Sequence, residues 1–168
     1  MSRAVALQHY ERGTARESRA RIQARLASGV QSALGMVLCV SFDAETLERW
    51  QKTPEIEIET SRGDGAPVHR TVIWIVVDGD DVFVRSVRGP AGRWYREVRS
   101  NPRAAVHDGG RRVEVEAETA VDPETVLRVN ELLRQKYHER WPGPTSSMLR
   151  EETLPTTLRL RPATTART

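Results

Sequence analysis

Residues 55–62, EIEIETSR, alternate without a break, with Ile56, Ile58 and Thr60 on one side and Glu55, Glu57 and Glu59 on the other. A period of two predicts a half-buried strand. RGDG at 62–65 follows as a turn with two glycines. Residues 69–78, HRTVIWIVVD, are more continuously apolar, which predicts a central strand covered on both faces. DGDD at 78–81 is Asp-Gly hairpin chemistry, and DVFVRSV, 81–87, returns as the next strand. RAAVHD and RRVEVEAETA, joined by two glycines, form a second hairpin, with Val113, Val115, Ala117 and Thr119 on its inner face. A last strand lies in TLPTTLRLRP, with Leu158 and Leu160 inward.

Helical spacing shows in three places. SFDAETLERW, 41–50, has Asp43 as N-cap, Glu45 in the first turn and Leu47 and Trp50 on one face. A short helix starts near Gly92 and is stopped by Asn101-Pro102. The strongest runs from Asp122 to Trp141, with Asp122 as cap, Pro123 at the first position and an apolar stripe of Val126, Val129, Leu133 and Tyr137. WPGP, 141–144, breaks it. Six strands joined mostly by hairpin-length turns, with few helices, predict a mainly β, α+β fold closed as a small antiparallel barrel.

Composition narrows the setting. At 168 residues the chain suits one domain of ordinary size, and 38% hydrophobic residues allow a real but modest core. Lys52 and Lys136 are the only lysines, so the net charge of +3 is carried by arginine, the residue for bidentate contact with phosphate or carboxylate. Arginine abundance also fits a GC-rich coding bias. With Cys39 as the sole cysteine, no disulfide framework or thiolate metal cluster is expected. The longest apolar run, ALGMVLCV at 33–40, is far below the ~20 residues of a membrane span. No secretory leader is recognisable. A cytoplasmic protein without membrane contact is expected. Residues 1–40 read as a basic N-terminal arm, loose or weakly helical, or as a leader left by a mis-assigned start, since Met36 lies just before the first well-patterned segment. The domain proper spans 41–163, and 164–168 form a frayed tail.

The candidate chemistry is confined. There is no nucleophile elbow, phosphate loop or dinucleotide fingerprint, and no general acid or base can be named. His9, His69, His107 and His138 are isolated and lack metal-ligand spacing, so each reads as a surface or strand-face histidine. The glutamates at 55–59 and 114–118 read as a solvated sheet face. What remains is the junction of RSVRGPAGRWY, residues 85–95. Its glycines permit close backbone approach and its helix start offers free amides to an anion. Arg85, Arg88 and Arg93 can fork onto phosphate, Ser86 adds a hydroxyl, and Trp94, Tyr95 and Trp74 can flank a flat ring. The same residues also fit a barrel end plugged by aromatics and solvated by arginines.

The order of these features resembles the flavin- and deazaflavin-binding split barrels, including pyridoxamine phosphate oxidase-like proteins and deazaflavin-dependent nitroreductases. The shared pattern runs through Arg62–Gly65, Thr71–Val77, Asp78-Gly79, Val82–Val87, Gly89–Gly92, Arg93–Ser100 and Asn101-Pro102. TVIWIVVDGDDVFVRSVRGPAGRWYREV, with KYHERWPG and TTLRLRP, is similar to the DUF2255 group of split barrels, over about residues 42–163. The resemblance implies a six-stranded antiparallel split β-barrel of the FMN-binding type. It implies a homodimer holding FMN or a deazaflavin coenzyme of the F420 type between subunits, and an oxidoreductase that passes a hydride to or from a small-molecule substrate. By position, Arg70, Thr71 and Trp74 would line the ring, Arg85, Ser86 and Arg93 would hold phosphate, and Trp94 and Tyr95 would close the pocket. No lysine follows the third strand, where the oxidase branch often has one; Arg93 or Arg96 can replace it, or no cofactor binds. The alternative is a non-enzymatic dimeric barrel, either a ligand-free scaffold or a nucleic-acid binder acting through the basic arm. Against nucleic acid, aromatics and arginines do not interleave on any one strand.

Overall fold

The computed structural model describes residues 41–164, so the expectations for residues 1–40 and for the tail beyond 164 fall outside the described residues. The first element is helix α1 (Ala44–Lys52), and Asp43 caps it by accepting from Thr46 N–H at 2.9 Å. Strands β1 (Ile56–Thr60), β2 (His69–Ile73), β3 (Ile75–Asp78) and β4 (Asp81–Val84) follow. A single 3-10 turn, Gly89–Ala91, leads into α2 (Arg93–Ser100). The hairpin of β5 (Arg103–Asp108) and β6 (Arg111–Thr119) precedes α3 (Pro123–Tyr137), α4 (Pro142–Met148) and β7 (Leu158–Pro162). Asp122 caps α3 as its sequence predicts, accepting from Thr125 N–H at 2.9 Å, with Pro123 in the first turn. None of the helices described is long and apolar enough to cross a membrane.

The sheet has seven strands rather than six, all paired antiparallel in the order β2-β1-β5-β6-β7-β4-β3. β2 and β3 are separated in sequence by Trp74 alone, yet they occupy opposite edges. The expected central strand over 69–78 is therefore two edge pieces. Its first half pairs with β1 and its second with β4, so the sheet curls until its two edges are halves of one stretch of chain. The barrel stays open along that seam. Periodicity reports which faces are covered, not which partner a strand takes, so the run of apolar residues concealed the break. Burial within the stretch agrees: Ile75, Val76 and Val77 are buried, whereas Arg70 and Val72 are exposed.

Side chains of Tyr137 and Lys136 meet the backbone at the seam. The Tyr137 hydroxyl accepts from Ile75 N–H at 3.2 Å and shares its one proton between the carbonyls of Pro54 and Ile75, 2.8 and 2.9 Å away. Lys136 Nζ donates to the carbonyls of Trp50 (2.7 Å) and Ile75 (2.8 Å). Peptide groups that no neighbouring strand takes are thus satisfied from α3, as buried backbone requires. One core fills the curl, built on Trp50, Ile58, Ile75, Val106, Val115 and Leu160. A second joins α3 to the outer face of the sheet through Val76, Phe83, Leu133 and Tyr137. WPGP does end α3, but Pro142 also starts α4, a helix that the break in periodicity hides.

Candidate ligand-binding cleft

Beyond Val84 the chain must leave the sheet and start α2 within eight residues. Gly89 N–H bonds back to Ser86 O at 2.9 Å, and Gly89 takes φ +55°, where a side chain would be strained. Pro90 sets the short turn that follows. Gly92 then starts α2 without any side-chain cap, and the first turn holds no acidic residue. The first intrahelical bond is Arg96 N–H to Gly92 O, at 3.1 Å. The amides of Arg93, Trp94 and Tyr95 therefore lack helical acceptors, and the positive end of the helix dipole is not neutralised.

Ser86 sits against this helix start. It is 1% exposed, and its Oγ has no hydrogen-bond partner among the described residues. A Cβ placed on Gly92 would collide with that Oγ, so the two residues are packed as tightly as glycine allows. Arg85, beside it, is 2% exposed. Its Nε donates to Thr157 Oγ1 (2.9 Å), and its Nη1 donates to Asn130 Oδ1 (2.6 Å) and Met148 O (3.0 Å). Its Nη2 reaches Val126 O only at 3.5 Å. These partners are neutral. Burial without a carboxylate lowers the Arg85 pKa to about 10, which leaves it charged at neutral pH. Arg85 thus ties the end of β4 to α3, α4 and the residue just before β7 while adding a buried, uncompensated positive charge.

Around this junction lies a cleft of about 890 Å³. That is within the ~300–1,000 Å³ range of small-molecule sites. One wall comes from the seam, where Trp74 stacks on Tyr137 with ring centres 4.1 Å apart and planes 6° apart. Trp141 lies 5.9 Å from Trp74, and the Arg140 guanidinium covers the Trp141 ring at 4.7 Å. Met148 and Pro144 of α4 extend that wall, and Trp94, 5% exposed, stands on the α2 side. The cleft is cationic, with Arg85, Arg88 and Arg93 against Glu55 as its one acidic lining residue. Glu55 accepts a long bond from Trp74 Nε1, at 3.4 Å.

Of the residues singled out from sequence, Thr71, Trp74, Arg85, Ser86, Arg93 and Trp94 all line this cleft. Arg70 does not: it is exposed on β2 and meets Glu59, its register partner on β1, at 3.3 Å. Tyr95 is half-buried beside the core, and its hydroxyl donates to Pro155 O at 3.4 Å. Sequence reasoning missed Trp141, Pro144 and Met148, which come from a segment read only as a helix breaker. The one available signal was the aromatic next to two prolines and a glycine.

The model of the family described as "Uncharacterized protein conserved in bacteria (DUF2255)" matches residues 46–160. No curated protein matches the chain. Among solved structures, the heme storage protein HutZ of Vibrio cholerae is similar at 14% identity and a TM-score of 0.54, over 74% of this chain and 92% of that one. A conserved hypothetical protein of Mycobacterium tuberculosis is similar at 17% identity and a TM-score of 0.53, over 76% of this chain and 82% of that one. Campylobacter jejuni ChuZ is similar at 10% identity and a TM-score of 0.53, over 70% of this chain and 50% of that one. At such identities these likenesses establish the split-barrel fold alone.

Proposed function

Because the chain belongs to the DUF2255 family within the split-barrel superfamily, we propose that its cleft binds FMN or a deazaflavin coenzyme and that the protein is an oxidoreductase for a small molecule. The observation that carries this reading is Ser86 Oγ: a buried hydroxyl with no protein partner, at the uncapped start of α2, in a cleft holding three arginines. A buried polar group without a partner is costly, and a phosphate oxygen would satisfy it. The amides at the start of α2, Ser86 Oγ and the guanidinium of Arg93 would hold the phosphate. Arg88, exposed at the rim, would add charge, and Arg85 would act through its field because most of its donors are taken. Trp74, Trp141 and Trp94 would bracket the ring and exclude water. The bound ring would supply hydride chemistry, while the protein orients it and tunes its surroundings.

The reading includes a homodimer. β2 is an edge strand with Val72 57% exposed and lining the cleft, and Val68, just before the strand, is 60% exposed. A second subunit would cover both. Haem fits the cleft less well. Haem iron takes an axial His, Cys, Tyr or Met. The described residues lining the cleft include no His, Cys or Tyr, and Met148 is 4% exposed.

The test is a titration of the purified protein with FMN and with the deazaflavin, followed by absorbance and fluorescence. Binding of one of them tighter than about 100 μM is expected, roughly −5.5 kcal/mol. Ser86→Ala and Arg93→Ala should each weaken it by about tenfold, near 1.4 kcal/mol, while Arg70→Ala leaves it unchanged. No binding of either coenzyme below that limit would end the proposal.

A further inference from the structure

The polar side chains that line the cleft are nearly all donors. Arg85, Arg88 and Arg93 can only donate, as can the indoles of Trp74, Trp94 and Trp141. Thr71 and Ser86 carry hydroxyls that do either. Glu55, as a carboxylate, is the one lining side chain that only accepts.

The seam fixes where that acceptor stands. Ile56 of β1 is the register partner of Ile73 of β2, so Glu55 and Trp74, one residue further along each chain, lie opposite one another. Tyr137 steadies both sides. Its hydroxyl bonds to the carbonyl of Pro54, the residue before Glu55, and its ring stacks on Trp74 at 4.1 Å. Glu55 is exposed and makes one hydrogen bond among the described residues, accepting from Trp74 Nε1–H at 3.4 Å. That is longer than a good N–H···O bond, so neither group is fully used. A donor and an acceptor therefore sit side by side at the edge of the aromatic wall. Their complement is a flat ring with a C=O next to an N–H, as in a lactam or an imide. Its carbonyl would take Trp74 Nε1–H, and its N–H would donate to Glu55. An organic cation also suits a carboxylate beside indoles. Three arginines line the same cleft, however, and repel net positive charge, whereas an imide N–H carries none.

We propose that Glu55 and Trp74 Nε1 together read the C=O/N–H edge of the bound ring, so that the cleft selects heterocycles with an imide or lactam edge over flat rings that lack one. This rests on the coenzyme reading above: FMN and the deazaflavin both carry such an edge at N3. The α2 start then holds one end of the ligand and the Glu55–Trp74 pair orients the ring. Both residues determine specificity and leave the hydride chemistry to the coenzyme.

Two ligands that differ at that edge alone provide the test. They are whichever coenzyme the protein binds, FMN or the deazaflavin, and its N3-methyl derivative, each titrated by absorbance and fluorescence. The wild type should prefer the N3–H form by about tenfold. Glu55→Ala removes the acceptor and leaves room for the methyl group, so it should bind the two forms alike, within about twofold. Ser86→Ala should weaken both and keep the preference, because it acts at the phosphate end. Equal affinities in the wild type overturn the inference. So does a preference that survives in Glu55→Ala, which would mean that the methyl group is refused by bulk elsewhere. Either result leaves the coenzyme reading standing, whereas failure of both coenzymes to bind overturns the two together.

Discussion

Gly92 and Ser86 are fitted to each other, and the fit separates stability from binding. Gly92 has φ −58° and ψ 129°, which alanine adopts freely, so the cost of a methyl there is the collision with Ser86 Oγ. Turning the hydroxyl away relieves it. Gly92→Ala should therefore cost on the order of 1 kcal/mol in urea unfolding yet weaken FMN by about tenfold, because the donor now points elsewhere. Gly89→Ala differs: φ is +55° and the new Cβ would stand 2.7 Å from Glu152 O. It should cost roughly 2–3 kcal/mol from strain and overlap. A Gly92→Ala protein that binds FMN normally would show that Ser86 is only packing. Lys136 offers a test by pH. Burial lowers its pKa to about 8 from the ordinary 10.5. Between those values the unfolded chain holds the proton and the folded one does not, so stability rises with pH across that window. The neutral amine still has two N–H groups for the carbonyls of Trp50 and Ile75. The rise should be about 1 kcal/mol after screening by water. Lys136→Met should lose that rise, as read from urea midpoints at pH 7.5 and 10.

At the scale of elements, the seam at Trp74 depends on one hydroxyl. Tyr137 is 0% exposed, burial pushes its phenol pKa up, and its oxygen serves both peptide groups of Ile75 as well as Pro54 O. Tyr137→Phe leaves Ile75 N–H buried and unmet, while Lys136 still donates to Ile75 O, so it should cost about 2 kcal/mol. Amide exchange should accelerate at Ile75 first. Uniform acceleration across the sheet instead would assign Tyr137 to general packing. This seam also marks where the sequence stops being legible. The caps at Asp43 and Asp122, the Asp-Gly hairpin and the alternation of Ile56, Ile58 and Thr60 each depend on neighbours a few residues away, and the structure has them all. The change of partner at Trp74 depends on β1 and β4, and nothing local records it. The cleft divides in the same way. Arg85, Ser86, Arg93 and Trp94 stand close together in sequence around two glycines, which made the junction visible. Trp141 and Met148 arrive across more than forty residues. Glu97, within RWYREVRS, has the pattern of a surface glutamate, and only its contacts with Thr60 and His69 reveal its burial.

For the whole molecule, the distribution of charge decides between ligands. Residues 1–40 contain six arginines and two glutamates, which leaves 20 basic against 21 acidic side chains in the remainder. The pI near 9.5 therefore belongs to the first forty residues, and the rest of the chain is close to neutral. Arginine in the cleft is thus a local concentration rather than a sample of a uniformly basic surface. Outside it, many arginines are matched by acids, as Arg128 is by Asp78 at 2.7 Å and Arg112 by Glu59 at 3.0 Å. Coenzyme binding and nucleic-acid binding should then reside in different parts of the chain. The described residues 41–164 hold two cores and a seven-stranded sheet, so a 41–168 fragment should unfold in one cooperative transition. If the cleft is the working site, that fragment binds FMN or the deazaflavin as the full chain does. Any affinity for DNA should fall steeply with salt in the full chain, because phosphate contacts release counterions, and should vanish in the fragment. The reverse outcome, coenzyme affinity lost with the first forty residues while DNA affinity survives, would move the anion site out of the cleft.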